Sequence, residues 1–510
     1  MIDTKTPDTP GWWLAECWKK LDARRERYAR LDAWRRGDPP LSTRHEAQKE
    51  AFRAFLKMAR LNLADTLVSC VSERLNVRAI RTSKGSTADG DDLAWSLFKL
   101  NALHVEFGDT IEDALGLSDG YLMVSVDPTV TGNPAAKDVW ITTEDPRQVV
   151  TFHDPVRQSK VRAAAKFYHD AQMGDGGTDL AYLYLPGRVY VATKPRKRAA
   201  GDRDGVRFSA SGWTWRDVDE NDLPIATPLP AGFEDVVPVV RMRNRKGVAE
   251  FERHIDHLER ITHGVLQRMV IVTMQAFRQR ALRGELPSHY PNDYPVEELR
   301  GQEIDYEGMF ESSPDAMWLL PAGVEVWESQ QADMQGVLSA VNDDLKHLAA
   351  ATRRPMHIFA PDNQSAAGAE SADDGLMFAC EDRATRFGDA LARAMAIAFR
   401  FMGEDERAEL DKITVDWQPF VRHDIQTKAN AAAQAKAAGM SDAWILENVW
   451  QATPEEARIE TANKAADQLS AALLTGTGPG TPPAPPTPAP APAPGPAEGQ
   501  PGVPAQGATT

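Results

Sequence analysis

The chain has 510 residues, 42% hydrophobic and 26% charged, with a formal net charge of -16. That length has room for two to four cores at roughly 150 residues each, and the mean hydropathy of -0.43 is that of a soluble globular chain, not of an integral membrane protein. The acidic balance argues against a protein that grips nucleic acid by neutralising many phosphates.

The opening MIDTKTPDTPGWW has no basic stretch followed by an apolar one, so no export is expected. Cys17, Cys70 and Cys380 lie far apart and share no metal-ligand spacing, which fits buried thiols in a reducing compartment. Helices are predicted over Trp12–Arg36 and Arg44–Leu75; in the second, Phe52, Phe55, Leu56, Ala59, Leu63, Leu67 and Val71 recur at helical spacing. Another helical stretch runs between Asp91 and Leu115.

After Gly120 the period changes to two. Strands are predicted at Tyr121–Val126, Val139–Thr142, Val149–His153, Val161–Tyr168, Leu180–Leu185 and Val189–Thr193. Turn signals such as Asp127-Pro128, Asp145-Pro146, Asp154-Pro155 and Pro186-Gly187 separate them. A strand meander attached to helices makes the first half α+β and not a βαβ series.

A proline-free helix is predicted from Gly247 to Leu282, about 50 Å long at 1.5 Å per residue. Phe251, Ile255, Leu258, Thr262, Val265, Met269, Val272 and Ala276 step along it by fours and threes, a stripe that wants a neighbouring helix. Its most apolar run, Val265–Phe277, is interrupted by Gln267, Arg268 and Gln275, whereas a membrane span needs about twenty apolar residues. Residues 285–328, rich in Pro, Tyr and Gly, end in strand-like Met317–Leu320 and Val324–Trp327. A second stripe of Met334, Leu338, Val341, Leu345 and Leu348 follows, and Pro355 stops that helix. Residues 285–328 therefore read as an insertion between two long helices.

Beyond an irregular stretch at Ile358–Gly368, a third long helix is predicted over Ala369–Met402, with Leu376, Cys380, Phe387, Leu391, Met395 and Ala398 on one face. A strand at Ile413–Trp417 and helices at Asp424–Ala438 and Asp442–Val449 come next. From Thr475 the composition turns to Pro, Ala, Gly and Thr, which cannot build a core and reads as a disordered tail.

No Gly-rich loop ending in Gly-Lys-Ser/Thr is present, which argues against an ATPase. His254 and His257, at i and i+3 with Asp256 and His263 nearby, fit a metal pair in spacing but read first as polar residues on a packed helix. The pairs Asp91-Asp92, Asp343-Asp344 and Asp373-Asp374 point about 100° apart on a helix, so they read as solvated edges or N-terminal charges and not as a two-metal nuclease site. There is no Gly-x-Ser-x-Gly elbow and no defensible Cys/His nucleophile. Asn363-Gln364-Ser365 matches a glycosylation sequon by chance, and the basic run Lys194–Arg198 reads as a soluble hairpin edge. No catalytic residue, metal or cofactor is expected.

The order of these elements from about Trp12 to Glu460 resembles the portal proteins of long-tailed, siphovirus-type bacteriophages, especially those infecting actinobacteria. The local matches are LNLADTLVSCVSERLNVRAI at 61–80, the GYLMVSVDP and TTEDPRQVVTFHDP strands, EFERHIDHLERITHGVLQRMVIVTMQAFRQRAL at 250–282 and RRPMHIFAPDNQSAAGAESADDGL at 353–376. The resemblance implies a helix-rich α+β portal fold: 1–246 a wing, 247–284 a stem helix, 285–328 a clip, and 329–355 a second stem helix. It further implies a tunnel loop at 356–368, a long helix and return strand at 369–420, crown helices at 421–474, and the tail beyond.

It also implies a function. The chain would form a dodecameric ring at the special capsid vertex of the virion, a conduit for packaging and ejecting double-stranded DNA. Its partners would be the terminase large subunit, a head-tail adaptor protein, and the major capsid and scaffold proteins, with no membrane. A uniformly basic wall would serve sliding DNA poorly, because each salt link to a phosphate acts as a brake. Under this reading Arg353, Arg354, Asp362, Asn363, Gln364 and Ser365 are the DNA-channel candidates. Phe251, Ile255, Leu258, Val265, Met269, Leu338, Val341 and Leu345 are the oligomer-interface candidates, because their stripes are expected to lack a partner within one monomer. The competing readings are another phage head or head-tail structural protein, and a DNA-processing enzyme, which would show metal-dependent nuclease or ATPase activity.

Overall fold

The structure is a computed structural model, which describes residues 2–39, 55–84, 90–130, 132–174, 176–196, 206–209, 211–276, 280–284, 286–306, 325–328, 334–360, 366–421, 425–452 and 454–475. The predicted strand Met317–Leu320, Phe52 and the proline-rich tail lie outside these residues.

Helix α1, Pro10–Arg35, starts where the Thr9 hydroxyl accepts from the Trp12 amide and Pro10 occupies the first turn. Its buried residues fall on one helical face, with a two-turn gap between Leu21 and Tyr28, and serve two cores in succession. Leu14, Cys17 and Leu21 pack on the larger sheet, and Tyr28, Leu31 and Trp34 join the main helical core.

The helix predicted over Arg44–Leu75 is not continuous. Residues 55–59 are helical, the chain leaves the helix at Arg60–Asn62, and α2 runs over Leu63–Ser72. The break separates two allegiances: Ala59 packs with Val265 and Val341, whereas Leu67 and Val71 enter the main core. The Asp91–Leu115 stretch likewise splits into α3, Asp92–Leu100, and α4, Leu103–Leu117. There Asn101 spends its side-chain amide on a strand, donating to the Val139 carbonyl at 3.1 Å and accepting from the Ile141 amide at 2.9 Å. Ala102 turns into the left-handed region at φ 53°.

The expected single meander is two sheets. β4 (Val149–His153), β5 (Val161–Asp170), β6 (Thr178–Leu185) and β7 (Arg188–Pro195) are the antiparallel meander, extended by the short β8 (Thr214–Trp215) and β9 (Thr227–Pro228) on β7. β2 (Asp119–Val126) and β3 (Val139–Glu144) instead join β10 (Val239–Arg243), with β2 in the middle. Asp119 binds this sheet to α1: its carboxylate takes Arg241 at 2.6 Å and the Tyr28 hydroxyl at 3.2 Å. A further ladder pairs β1 (Val77–Arg81) with β13 (Thr414–Trp417).

The helix predicted over 247–282 is shorter than expected. α5 spans Ile255–Ala276, 22 residues, or about 33 Å instead of 50. Before it the chain forms tight turns through Lys246, at φ 57°, so that Ala249 and Phe251 drop into the main core. After it Arg280–Arg283 is a strand, β11, paired antiparallel with β12, Glu325–Glu328. α6, Met334–Thr352, ends at Arg353 in the left-handed conformation (φ 56°), two residues ahead of Pro355. α7, Ala366–Phe401, is 36 residues long and buries Leu376, Cys380, Phe387, Leu391, Met395 and Ala398 as predicted. α8 (Ile425–Ala437), α9 (Asp442–Asn448) and α10 (Pro454–Thr475) complete the described chain, the last lying within 421–474 but for its final residue and not delimited from the periodicity.

Candidate functional site

α5 and α6 form an antiparallel arm closed at its far end by the β11–β12 ladder. Arg260 of α5 meets Asp344 of α6 at 2.9 Å, and Gly264 lies so close to Val341 that an added Cβ would come within 2.9 Å of its Cγ2. The two stripes therefore face each other. Phe251, Ile255, Leu258 and Leu345 are buried in the main core, and Val265 and Val341 in a small cluster with Ala59. Met269 and Leu338 are half-buried. The premise that these stripes lack a partner within one monomer is thus corrected, and six of the eight residues are core. Outward exposure along the arm falls instead on Val272, 52% exposed, and Trp327, 56% exposed.

The arm is rooted in a buried ion cluster. Glu250 accepts from Arg383 Nη2 at 2.7 Å and Nε at 2.9 Å, from Arg354 Nη2 at 3.0 Å and from Asn244 Nδ2 at 3.1 Å. The side chains of Glu250, Arg354 and Arg383 are 6%, 3% and 9% exposed. The cluster ties three places together: the segment leading into α5, the end of α6 and the middle of α7. In this position Arg354 is spent on structure, so its expected channel role is corrected. Arg353, one residue earlier, is exposed. Asp362, Asn363, Gln364 and Ser365 lie outside the described residues; of the irregular stretch around them, Met356–Ile358 is a single turn and Gly368 already belongs to α7.

His254 and His257 meet ring edge to face at 6.1 Å, and burial, then the neighbouring His257, pushes the His254 imidazole below its ordinary value. Among the described residues no group of three or more His, Cys, Asp or Glu could hold a metal. Neighbouring carboxylates go to separate partners: Asp91 to Arg407 at 2.8 Å, Asp343 to Lys346 at 3.0 Å, Asp344 to Arg260, and Asp373 towards His357 at 3.8 Å. All three cysteines are buried and free, and burial pushes the Cys380 thiol up to about 11. Of the basic run after Lys194, Arg196 is committed to the buried Asp179 at 2.8 Å. Among the described residues no helix is long and apolar enough to cross a membrane.

Glu250 and Arg383 escaped the sequence reading because they sit 133 positions apart and neither belongs to a local motif. A lone acid before a predicted helix carries no signal of its own.

No curated protein matches the chain. Among solved structures it is similar to a chain from the neck of an empty GTA particle computed with C6 symmetry, at 12% identity and a TM-score of 0.41, covering 80% of this chain and 95% of that one. It is also similar to a chain from the neck of a native GTA particle computed with C12 symmetry, at 12% identity and a TM-score of 0.35, covering 79% and 91%. Likenesses this remote carry no argument about function. The family model described as "Phage portal protein, SPP1 Gp6-like" matches residues 14–471, which takes in every core described above. The chain belongs to the phage portal protein family, SPP1 Gp6-like.

Proposed function

We propose that copies of this chain close into a ring, a dodecamer, at one capsid vertex of a long-tailed phage of actinobacteria, and that double-stranded DNA passes through the ring on packaging and ejection. The observation that carries this reading is the antiparallel α5–α6 arm with its end insertion, rooted in the Glu250 cluster, in a chain that matches the portal family over 14–471. In this division 1–246 is the wing, 247–284 and 329–355 the stem, and 285–328 the clip. The clip meets the terminase large subunit during packaging and a head-tail adaptor protein afterwards. Residues 356–368 are the tunnel loop, 369–420 the long helix and return strand, and 421–474 the crown, on the side of the major capsid and scaffold proteins.

A head-to-tail ring needs two different complementary faces on each copy. The facing stripes of α5 and α6 are occupied within the chain, so those faces lie elsewhere. DNA contact falls to Asp362–Ser365, whose small polar side chains offer hydrogen bonds to phosphates without a fixed positive charge. Deleting Asn363–Ala367 tests this division. Rings persist while packaging or DNA retention fails in infected cells; normal packaging, or loss of the rings themselves, removes the loop from the DNA path.

A further inference from the structure

One cleft stands out against the acidic chain. It lies between the turns at 244–254, the end of α6 and Arg383 of α7, and has a volume of about 320 Å³. Its walls carry six Arg or Lys side chains and a single carboxylate, Glu250. Arg354 and Arg383 are consumed by Glu250. Lys246, Arg253 and Arg353 form no ion pair and no side-chain hydrogen bond among the described residues, and Arg245 stands in the field of Asp382. Lys246 and Arg353 both hold left-handed backbones, at φ 57° and 56°, a strain that L residues carry only where the surroundings fix them. Arg245, Lys246, Arg253 and Arg353 are all exposed, so the mouth of the cleft presents a concentrated positive charge to an incoming anion.

A complementary group lies on the same chain. On α7, Asp374, Phe378 and Glu381 sit at i, i+4 and i+7 and so share one face. Phe378 is 69% exposed, an aromatic ring on the solvent face of the helix, and both carboxylates are exposed without an ion pair among the described residues. Phe378 precedes Arg383 by five positions, which at 3.6 residues per turn places them about 140° apart around the helix. None of Asp374, Phe378 and Glu381 lines the cleft, so the knob does not fill it in its own chain.

We infer that the basic cleft of one copy receives the Asp374–Phe378–Glu381 face of α7 from a second copy. This rests on the ring reading and deepens it, since a basic socket and an acidic aromatic knob on different faces of one subunit are what a head-to-tail contact requires. The ring of Phe378 enters beside Leu67, Val248 and Ala351, and its flanking carboxylates meet Arg253 and Arg353. A second copy is favoured over nucleic acid because the knob is exposed, unpaired and of the right charge, while the net charge of -16 opposes a long phosphate backbone.

The test is charge reversal in the full-length chain, with assembly followed by native mass spectrometry and sedimentation and folding checked by circular dichroism. Asp374→Lys with Glu381→Arg, and separately Arg253→Glu with Arg353→Glu, each raise the concentration at which copies assemble by at least ~tenfold. Combining the four substitutions restores assembly. Unchanged assembly in both pairs overturns the docking while leaving the ring intact, and failure of the combination to rescue overturns the pairing. If the Arg253→Glu, Arg353→Glu chain assembles normally but loses retention on duplex DNA, the cleft takes phosphate and the inference falls. A wild-type monomer removes the ring reading and this inference together.

Discussion

Replacing Glu250 with Ala removes the one carboxylate shared by Arg354 and Arg383 at the root of the helical arm. Both guanidinium groups are at least nine-tenths buried and hold Glu250 at 3.0 and 2.7 Å. Removing one partner of a buried ion pair costs about 3–5 kcal/mol, chiefly because the surviving charge stays buried and unpaired. Arg383 keeps a second acid, Asp382 at 3.1 Å, so the loss belongs near the lower end, about 3 kcal/mol. Glu250→Gln keeps the shape and one acceptor but exchanges charge-assisted bonds for neutral ones, and so costs about half as much. The triple variant Glu250→Leu, Arg354→Met, Arg383→Met removes the charges with the pairing and stays within about 1 kcal/mol of wild type. The assay is equilibrium urea unfolding followed by tryptophan fluorescence, with all variants compared at the same assembly state and the slope checked for constancy. A loss below about 1 kcal/mol for Glu250→Ala refutes the reasoning, because it means that water replaces the carboxylate and the cluster is not sealed.

Leu258 and Val272 lie on the same helix and separate folding from assembly. Leu258→Asp buries an unpaired charge at a position 2% exposed and yields no folded chain, whereas Val272→Asp, at a position 52% exposed, folds with a wild-type circular dichroism spectrum. Asp91 gives a pH dependence. Burial alone raises its carboxyl, but hydrogen bonds from Thr82, Arg407 and the Ala94 amide outweigh that and hold it below the ordinary 3.8. A depressed folded-state value means that this stabilisation is complete above the ordinary carboxylate range and is lost as pH falls through the lower folded value. Asp91→Asn therefore costs about 1 kcal/mol at neutral pH and flattens the acid limb of the stability curve, as read by urea midpoints between pH 6 and 3.

The strongly periodic elements were legible in the sequence. The six strands from Tyr121 to Thr193, α7 and the strand at 413–417 are found where alternation and helical spacing put them. The errors fall where a side chain outranks periodicity. Asn101 breaks one apparent helix by bonding to a strand, and another is interrupted at Arg60–Asn62, between two cores, where Arg60 bonds to Asp38 and to the Pro39 carbonyl. The segment 247–282 loses both ends, because Lys246 turns the chain early and Arg280–Arg283 finds a strand partner some forty-five positions later.

Partnership was harder to read than element type. Two apolar stripes on separated helices are equally consistent with facing each other or facing another copy, and only the contact of Gly264 with Val341 decides it. The Glu250 cluster had no local signal. The family, by contrast, was visible in the order of elements, a property of the whole chain that survives local errors in where each one starts and stops.

The central claim is a closed ring with an open channel, and electron micrographs of the purified full-length protein test it most directly. End-on views are expected to show twelvefold rings with a stain-filled centre, and side views a stalk matching the α5–α6 arm. A monodisperse field of single chains at micromolar concentration, or closed particles with no channel, contradicts the account.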